Sequence, residues 1–223
     1  LAKVFQIMSV IMLINMKKLL ILLFSLFFLS SPSVFADDIS DFQIEGISIG
    51  DSLLDYMTEE EILEEIEVNK YMYAHLKEPN KYAEVYTWKD LSTYDSVSFI
   101  IKNTSTSQYV SNKNEKYIIQ SISGREVFTE DFDGCIQKRD EIEEELSKVF
   151  SNTQKNEDLF KHSADPSGRS IIDAIYFEFD SGAFAELSCY DYEETLRISN
   201  NWSDILVVGI HSKEISTWLV DYK

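Results

Sequence analysis

Histidine, cysteine, proline and positive charge are all scarce in this chain of 223 residues. Three prolines and seven glycines, set against 44% hydrophobic and 13% aromatic residues, exclude collagen-like and disordered classes. The few glycines form no phosphate-cradling loop, which removes the nucleotide-binding motifs that need one. Two cysteines cannot complete a structural zinc site, and none of the three histidines lies at ligand spacing from either. No metal and no cofactor is therefore expected. Twenty basic residues face 39 acidic ones, a balance that repels nucleic acid and favours a basic protein or peptide as partner.

What is present begins with an address. From Met16 the chain reads MKKLLILLFSLFFLSSPSVFA: two lysines, an apolar run, then small residues at the −3 and −1 positions before Asp37. That order of zones predicts a secretory signal peptide over 16–36, with residues 1–15 as upstream mistranslation. No cysteine lies near the cleavage point, so no lipid anchor is expected, and no stable membrane insertion after cleavage. The expected location is periplasmic or secreted. Lys3, Lys17 and Lys18 precede residue 37, whereas no acidic residue does. Residues 37–223 thus carry 17 basic against 39 acidic groups, a formal −22. In an oxidising compartment Cys135 and Cys189 are expected to form one disulfide.

Along 37–223, Thr58 followed by Glu61 reads as a capping box opening a helix near 59–68. A shorter helix is expected near 52–56. Strands are predicted over 83–88, 96–102 and 117–123. A second helix follows, with Cys135, Ile142, Leu146, Val149 and Phe150 on one face. A polar stretch, 151–169, reads as a loop. A hairpin runs from Ile171 to Asp180, turns at Ser181-Gly182 and returns over 183–191. A strand near 204–211 and a short closing helix complete the chain. Trp88, Trp202 and Trp218 are expected to pack.

Helix then strands, twice over, predicts an α+β fold. Its antiparallel sheet is covered on one face by helices, as two units over 37–125 and 126–223 within one compact body. This order resembles the β-lactamase-inhibitor-protein-like fold, which implies helix-then-three-strand units in tandem.

Gly50-Asp51-Ser52-Leu53 is similar to the block that carries the nucleophilic serine of GDSL-type esterases and lipases, and Asp55 falls where many of them have Asp. The resemblance implies a hydrolase using Ser52. That chemistry needs a base, supplied in the family by a His three residues after an Asp. Met72, Leu159 and Val208 precede His75, His162 and His211 at that spacing, so the base is missing. Ser52 or Asp51 is instead expected to cap a helix. Residues 129–134 have the outline of a calcium loop, but Asp140 stands where that loop needs a bidentate Glu, and capping is the expected role there too.

The odd positions of the 171–191 hairpin are mostly apolar and include Cys189, which assigns them to the core. The even positions hold Tyr176, Glu178, Phe184, Glu186 and Tyr190, and this mixed face is the expected binding surface. The functional expectation is a secreted, non-catalytic binding module for a protein or ligand. The alternatives are the Ser52 hydrolase and a structural envelope component. Intact-mass measurement of the secreted protein should show an N-terminus at Asp37. A mature N-terminus upstream of Met16 would overturn both the start site and the signal assignment.

Overall fold

The computed structural model describes residue 39 and residues 42–70, 81–105, 112–150 and 152–221. The predicted signal segment, the residues before it and His75 lie outside the described residues. Strands β1 (Gln43–Ile44) and β2 (Ile47–Ser48) form a small hairpin. Glu45 and Gly46 turn it with φ of 53° and 77°, the left-handed pair that a two-residue hairpin loop requires. A 3-10 turn over Leu53–Asp55 follows, and then helix α1 (Glu59–Asn69). The Glu61 amide donates to the Thr58 hydroxyl at 3.3 Å, and the Thr58 amide donates to the Glu61 carboxylate at 3.0 Å, so the capping box is complete.

Seven strands make the main sheet: β3 (Tyr82–Thr87), β4 (Ser96–Lys102), β5 (Ile119–Val127), β6 (Gln154–Lys161), β7 (Ile171–Glu178), β8 (Phe184–Asp191) and β9 (Ile205–His211). Their spatial order is β3-β4-β5-β9-β8-β7-β6, antiparallel throughout. Helix α2 (Phe132–Val149) connects β5 to β6, α3 (Glu194–Asn200) connects β8 to β9, and α4 (Lys213–Asp221) follows β9. The fold is α+β.

Side chains alternate across a strand, so each row of register partners divides cleanly between two faces. Val85, Phe99, Ile122, Ile210, Ala185 and Phe177 form one row of the core, all buried. Burying each larger member stabilises the fold by about 1.5–3 kcal/mol. Helix α1 lies beside β3 with Ile62 in this core. It also shields the β3 edge, because the Glu65 carboxylate accepts the Tyr86 amide at 3.2 Å. Helix α2 packs against β8 and β9. The odd face of the hairpin is the covered face, as its periodicity predicts.

The Cys135–Cys189 disulfide pins α2 to that face, with Cα atoms 6.0 Å apart and both residues buried against Leu206. One turn further along α2, Arg139 is buried and donates to Asp173 on β7 and to Asp140. The ion pair accounts for an acid at an odd, core-side position of the hairpin. Val149, expected on the buried stripe, is exposed, and Phe150 beyond it turns inward instead.

Three local expectations need correction. Residues 154–161 form edge strand β6 rather than loop. Gln, Lys, Asn, Glu and Asp give it no strand pattern, and pairing with β7 imposes the conformation. Helix α3 falls outside the predicted elements; it is short, buries no residue and is started by Glu193, whose carboxylate accepts the Leu196 amide. Trp88 does not pack in the interior. It is 63% exposed, stacked on Tyr86.

Replacing both cysteines by alanine should lower stability by about 4 kcal/mol, the chain-entropy value for a loop of this length. Chemical denaturation checks it. A change below about 1 kcal/mol, on the order of an ordinary contact, would mean that the bridge contributes little beyond its packing.

Candidate functional site

The Gly50-Asp51-Ser52-Leu53 segment is built into the fold at every position. Gly50 has φ of +94°, a conformation that favours glycine. Its amide donates to the Ile119 carbonyl, and the Ile119 amide donates to the Asp51 carbonyl. The Asp51 carboxylate accepts the Ser48 amide at 3.0 Å and the Tyr56 hydroxyl at 2.7 Å. Leu53 is fully buried. Ser52 is 4% exposed, bridges to Ile118, and donates its hydroxyl to the Lys116 carbonyl at 2.8 Å.

Ser52 therefore occupies the position before the 3-10 turn without capping it. The expectation of a side-chain cap from Ser52 or Asp51 is corrected: the serine hydroxyl staples the turn to the approach of β5. Of the described histidines, His211 pairs with Ser121, and His162 packs among Tyr190, Tyr192 and Trp202. In the 129–134 segment, Asp131 caps α2 by accepting the Gly134 amide at 3.1 Å. Among the described residues no group of three or more His, Cys, Asp or Glu converges as a metal site.

The other face of the main sheet has a different character. One row carries Glu84, Ile100, Ser121, His211, Phe184 and Glu178; the next carries Tyr86, Ser98, Ser123, Gly209, Glu186 and Tyr176. Arg125 and Ser188 lie one row further. The middle of this face is a floor of small residues, Ser98, Ser121, Ser123 and Gly209, with larger side chains on both sides. The floor serines are buried although they point away from the apolar core.

Two buried donors on this floor have no hydrogen-bond partner among the described residues: Arg125 Nη1 and His211 Nε2. The Arg125 guanidinium lies 5.0 Å over the Tyr86 ring and 3.9 Å from Glu84, too far for a hydrogen bond. The Ser121 hydroxyl and His211 Nδ1 are 2.8 Å apart, and the tautomer that accepts the serine proton leaves Nε2 as a donor. Nε2 stands 3.5 Å from Glu186 Oε2. A Cβ on Gly209 would fall 2.6 Å from Nε2 and 3.2 Å from Ser123 Oγ, so the missing side chain is what lets the His211 ring lie against the backbone here. Leaving a buried donor unpaired costs about 1–3 kcal/mol, and the Glu186 carboxylate beside Nε2 and the Tyr86 ring under the guanidinium offset part of that cost.

The carboxyls here differ. Burial pushes the Glu84 carboxyl above its ordinary range, only partly opposed by the Tyr86 hydroxyl and Arg125. Burial also works to raise Glu186, but the His211 ring, the Ser188 hydroxyl at 2.6 Å and the Arg125 charge outweigh it and hold that carboxyl below its usual value. Burial, with Glu186 nearby, pushes the Tyr176 phenol up to about 12.

Helix α4 crosses one end of this face. Lys213 lies against Gly182 at the β7–β8 turn, while Glu214 accepts the Tyr82 hydroxyl at 2.6 Å and Trp218 packs on Tyr82. The other end carries the Tyr190, Tyr192, His162 and Trp202 cluster. The structure thus separates the five residues singled out from the hairpin. Tyr176 and Phe184 touch, with ring centroids 6.1 Å apart, and Glu186 lies beside them. Tyr190 belongs to the far cluster, and exposed Glu178 is bonded by Asn156. Arg125, His211, Ser121, Ser123, Gly209, Glu84 and Tyr86 escaped sequence reasoning, because they sit on strands that meet only in the folded sheet.

No family model, curated protein or solved structure matches the chain.

Ser52→Ala should lose about 1 kcal/mol, the net value of its hydrogen bond to Lys116, and leave ligand binding intact. Thermal denaturation reads the first effect. An esterase activity that disappears in the variant at unchanged melting temperature would restore the nucleophile reading.

Proposed function

We propose that the chain is a secreted, non-catalytic binding module that takes its ligand on the sheet face turned away from α1 and α2. The observation that carries this reading is the polar composition of that face, where Arg125 Nη1 finds no hydrogen-bond partner among the described residues above a floor of serines and a glycine. A face built only for stability would pair such groups or replace them with apolar side chains. The signal sequence and the disulfide support secretion. The exposed acids on this face, Glu178 and Asp158, rather than the internally paired Glu186, are the groups available to a basic partner.

The reading extends the hairpin surface predicted from sequence toward the centre of the sheet. Tyr176, Phe184 and Glu186 form one wall, and Tyr190 and Glu178 form the periphery. Native mass spectrometry of the protein recovered from its own secretion compartment, combined with capture experiments, tests it. The wild type should retain a ligand or partner that an Arg125→Ala, Tyr176→Ala variant loses, with the fold of the variant confirmed by circular dichroism. Retention that is indifferent to both substitutions would place binding elsewhere.

A further inference from the structure

The two edges of the main sheet are finished differently. At β3, helix α1 lies alongside, and its Glu65 carboxylate takes the Tyr86 amide. At the other edge, β6 runs for eight residues in unbroken register against β7, with no proline in it. Leu159 on this strand is 67% exposed and Phe160 beside it 41%. The His162 amide donates to the Ser170 carbonyl at 2.9 Å, which continues the β6–β7 register and fixes which residues bond across it. In an antiparallel ladder such pairs recur at every second residue. The even positions of β6 therefore direct their amides and carbonyls to β7. The odd positions, Lys155, Glu157, Leu159 and Lys161, direct theirs outward, and their side chains share the face on which α2 lies.

These outward positions suit a second copy of the same strand, paired antiparallel about a two-fold axis, and their charges choose the register. An axis at Asp158 sets Lys155 against Lys161, and an axis at Glu157 sets that acid against itself; like charges directly opposite are destabilising. An axis at Phe160 sets Leu159 against Lys161. An axis at Asn156 matches Lys155 with Glu157 but draws the second copy toward α2, whose Glu143 already holds Lys155 at 3.1 Å. An axis at Leu159 sets Glu157 opposite Lys161 twice over and the exposed leucine against its own copy. It also lies beyond the point where α2 meets the strand. The charges on β6 thus discourage indiscriminate pairing and select one register.

We propose that β6 is a self-association edge: two copies of the chain pair antiparallel about Leu159, with Glu157 of each opposite Lys161 of the other. Glu157, Leu159 and Lys161 of the two copies exchange main-chain hydrogen bonds, and the contact is isologous. Two seven-stranded sheets become one continuous sheet, with both polar faces on the same side. The pairing does not depend on what that face binds. Residues 37–223 carry a formal −22, so two copies repel at long range. Physiological salt screens charges separated by more than about 8 Å, while the cross-strand pairs are in direct contact.

Sedimentation velocity of the disulfide-bonded secreted protein at physiological salt, from about 1 µM to about 1 mM, tests this. The mass should rise from monomer toward dimer across that range. Glu157→Lys and Lys161→Glu should each weaken association about tenfold, because each turns two attractive cross-strand pairs into two repulsive ones. An equimolar mixture of the two variants should recover it, since each supplies the charge that the other lacks, and that recovery excludes a mere loss of folding. Leu159→Pro should abolish it, because proline removes an outward amide that β7 does not use and is tolerated on an edge strand. Leu159→Cys should cross-link two copies under mild oxidation, the Cα atoms of such a pair lying about 5.5 Å apart. Ile198→Cys on α3, where the isoleucine is 68% exposed, should not. A protein that stays monomeric throughout the range overturns the proposal. So does a dimer indifferent to the charge variants and to Leu159→Pro, or a mixture that fails to recover association.

Discussion

The antiparallel seam between β5 and β9 is the constraint on which the rest of the structure depends. It pairs Ser121 with His211 at one end and Val127 with Ile205 at the other. The meander β3–β4–β5 and the strands β6–β9 become one sheet only through this ladder, formed between segments far apart in sequence. Such closure is entropically expensive, and the core row on one face supplies the offsetting burial. The same ladder places Ser121, Ser123 and Arg125 beside His211 and Gly209. Without it Arg125 and His211 would not share a floor.

The alternation of side chains along these strands divides the molecule into a mechanical face and a chemical one. On the first, Cys135–Cys189 and Arg139–Asp173 fasten α2 along two successive turns, one covalent and one ionic. Helix α1 completes the cover while guarding the β3 edge through Glu65. At the opposite edge, β6 carries Lys155, Glu157, Asp158 and Lys161, charges of the kind that discourage edge-to-edge pairing. The second face has no such cover from α1 or α2. A polar cluster can remain there because serine and glycine leave room between the longer residues.

The 50–53 segment shows why a four-residue likeness is weak evidence of catalysis. Every residue in it is committed to the fold. Gly50 turns the chain, Asp51 collects two donors, Ser52 reaches the Lys116 carbonyl and Leu53 enters the core. A nucleophile needs an exposed hydroxyl and an adjacent base. Ser52 is buried, and its proton is held by a backbone carbonyl.

Local chemistry determined the features that depend on neighbouring residues or on strict periodicity. The capping box needs only Thr58 and Glu61, three residues apart. The core side of the hairpin follows from period two. The disulfide follows from the helical phase of Cys135 and the strand phase of Cys189, with no third cysteine to compete. The same signals carry the α+β class and point to Tyr176, Phe184 and Glu186. Tertiary structure decided the rest. Strand β6 has no pattern of its own and takes its conformation from β7, Arg139 reads as a surface residue until Asp173 is opposite it, and Trp88 stays outside because its partner is Tyr86. The central floor draws on β4, β5 and β9. Its residues are ordinary serines, one glycine, one arginine and one histidine until register brings them together, and register across a seven-stranded sheet is a property of long-range pairing that no local window contains.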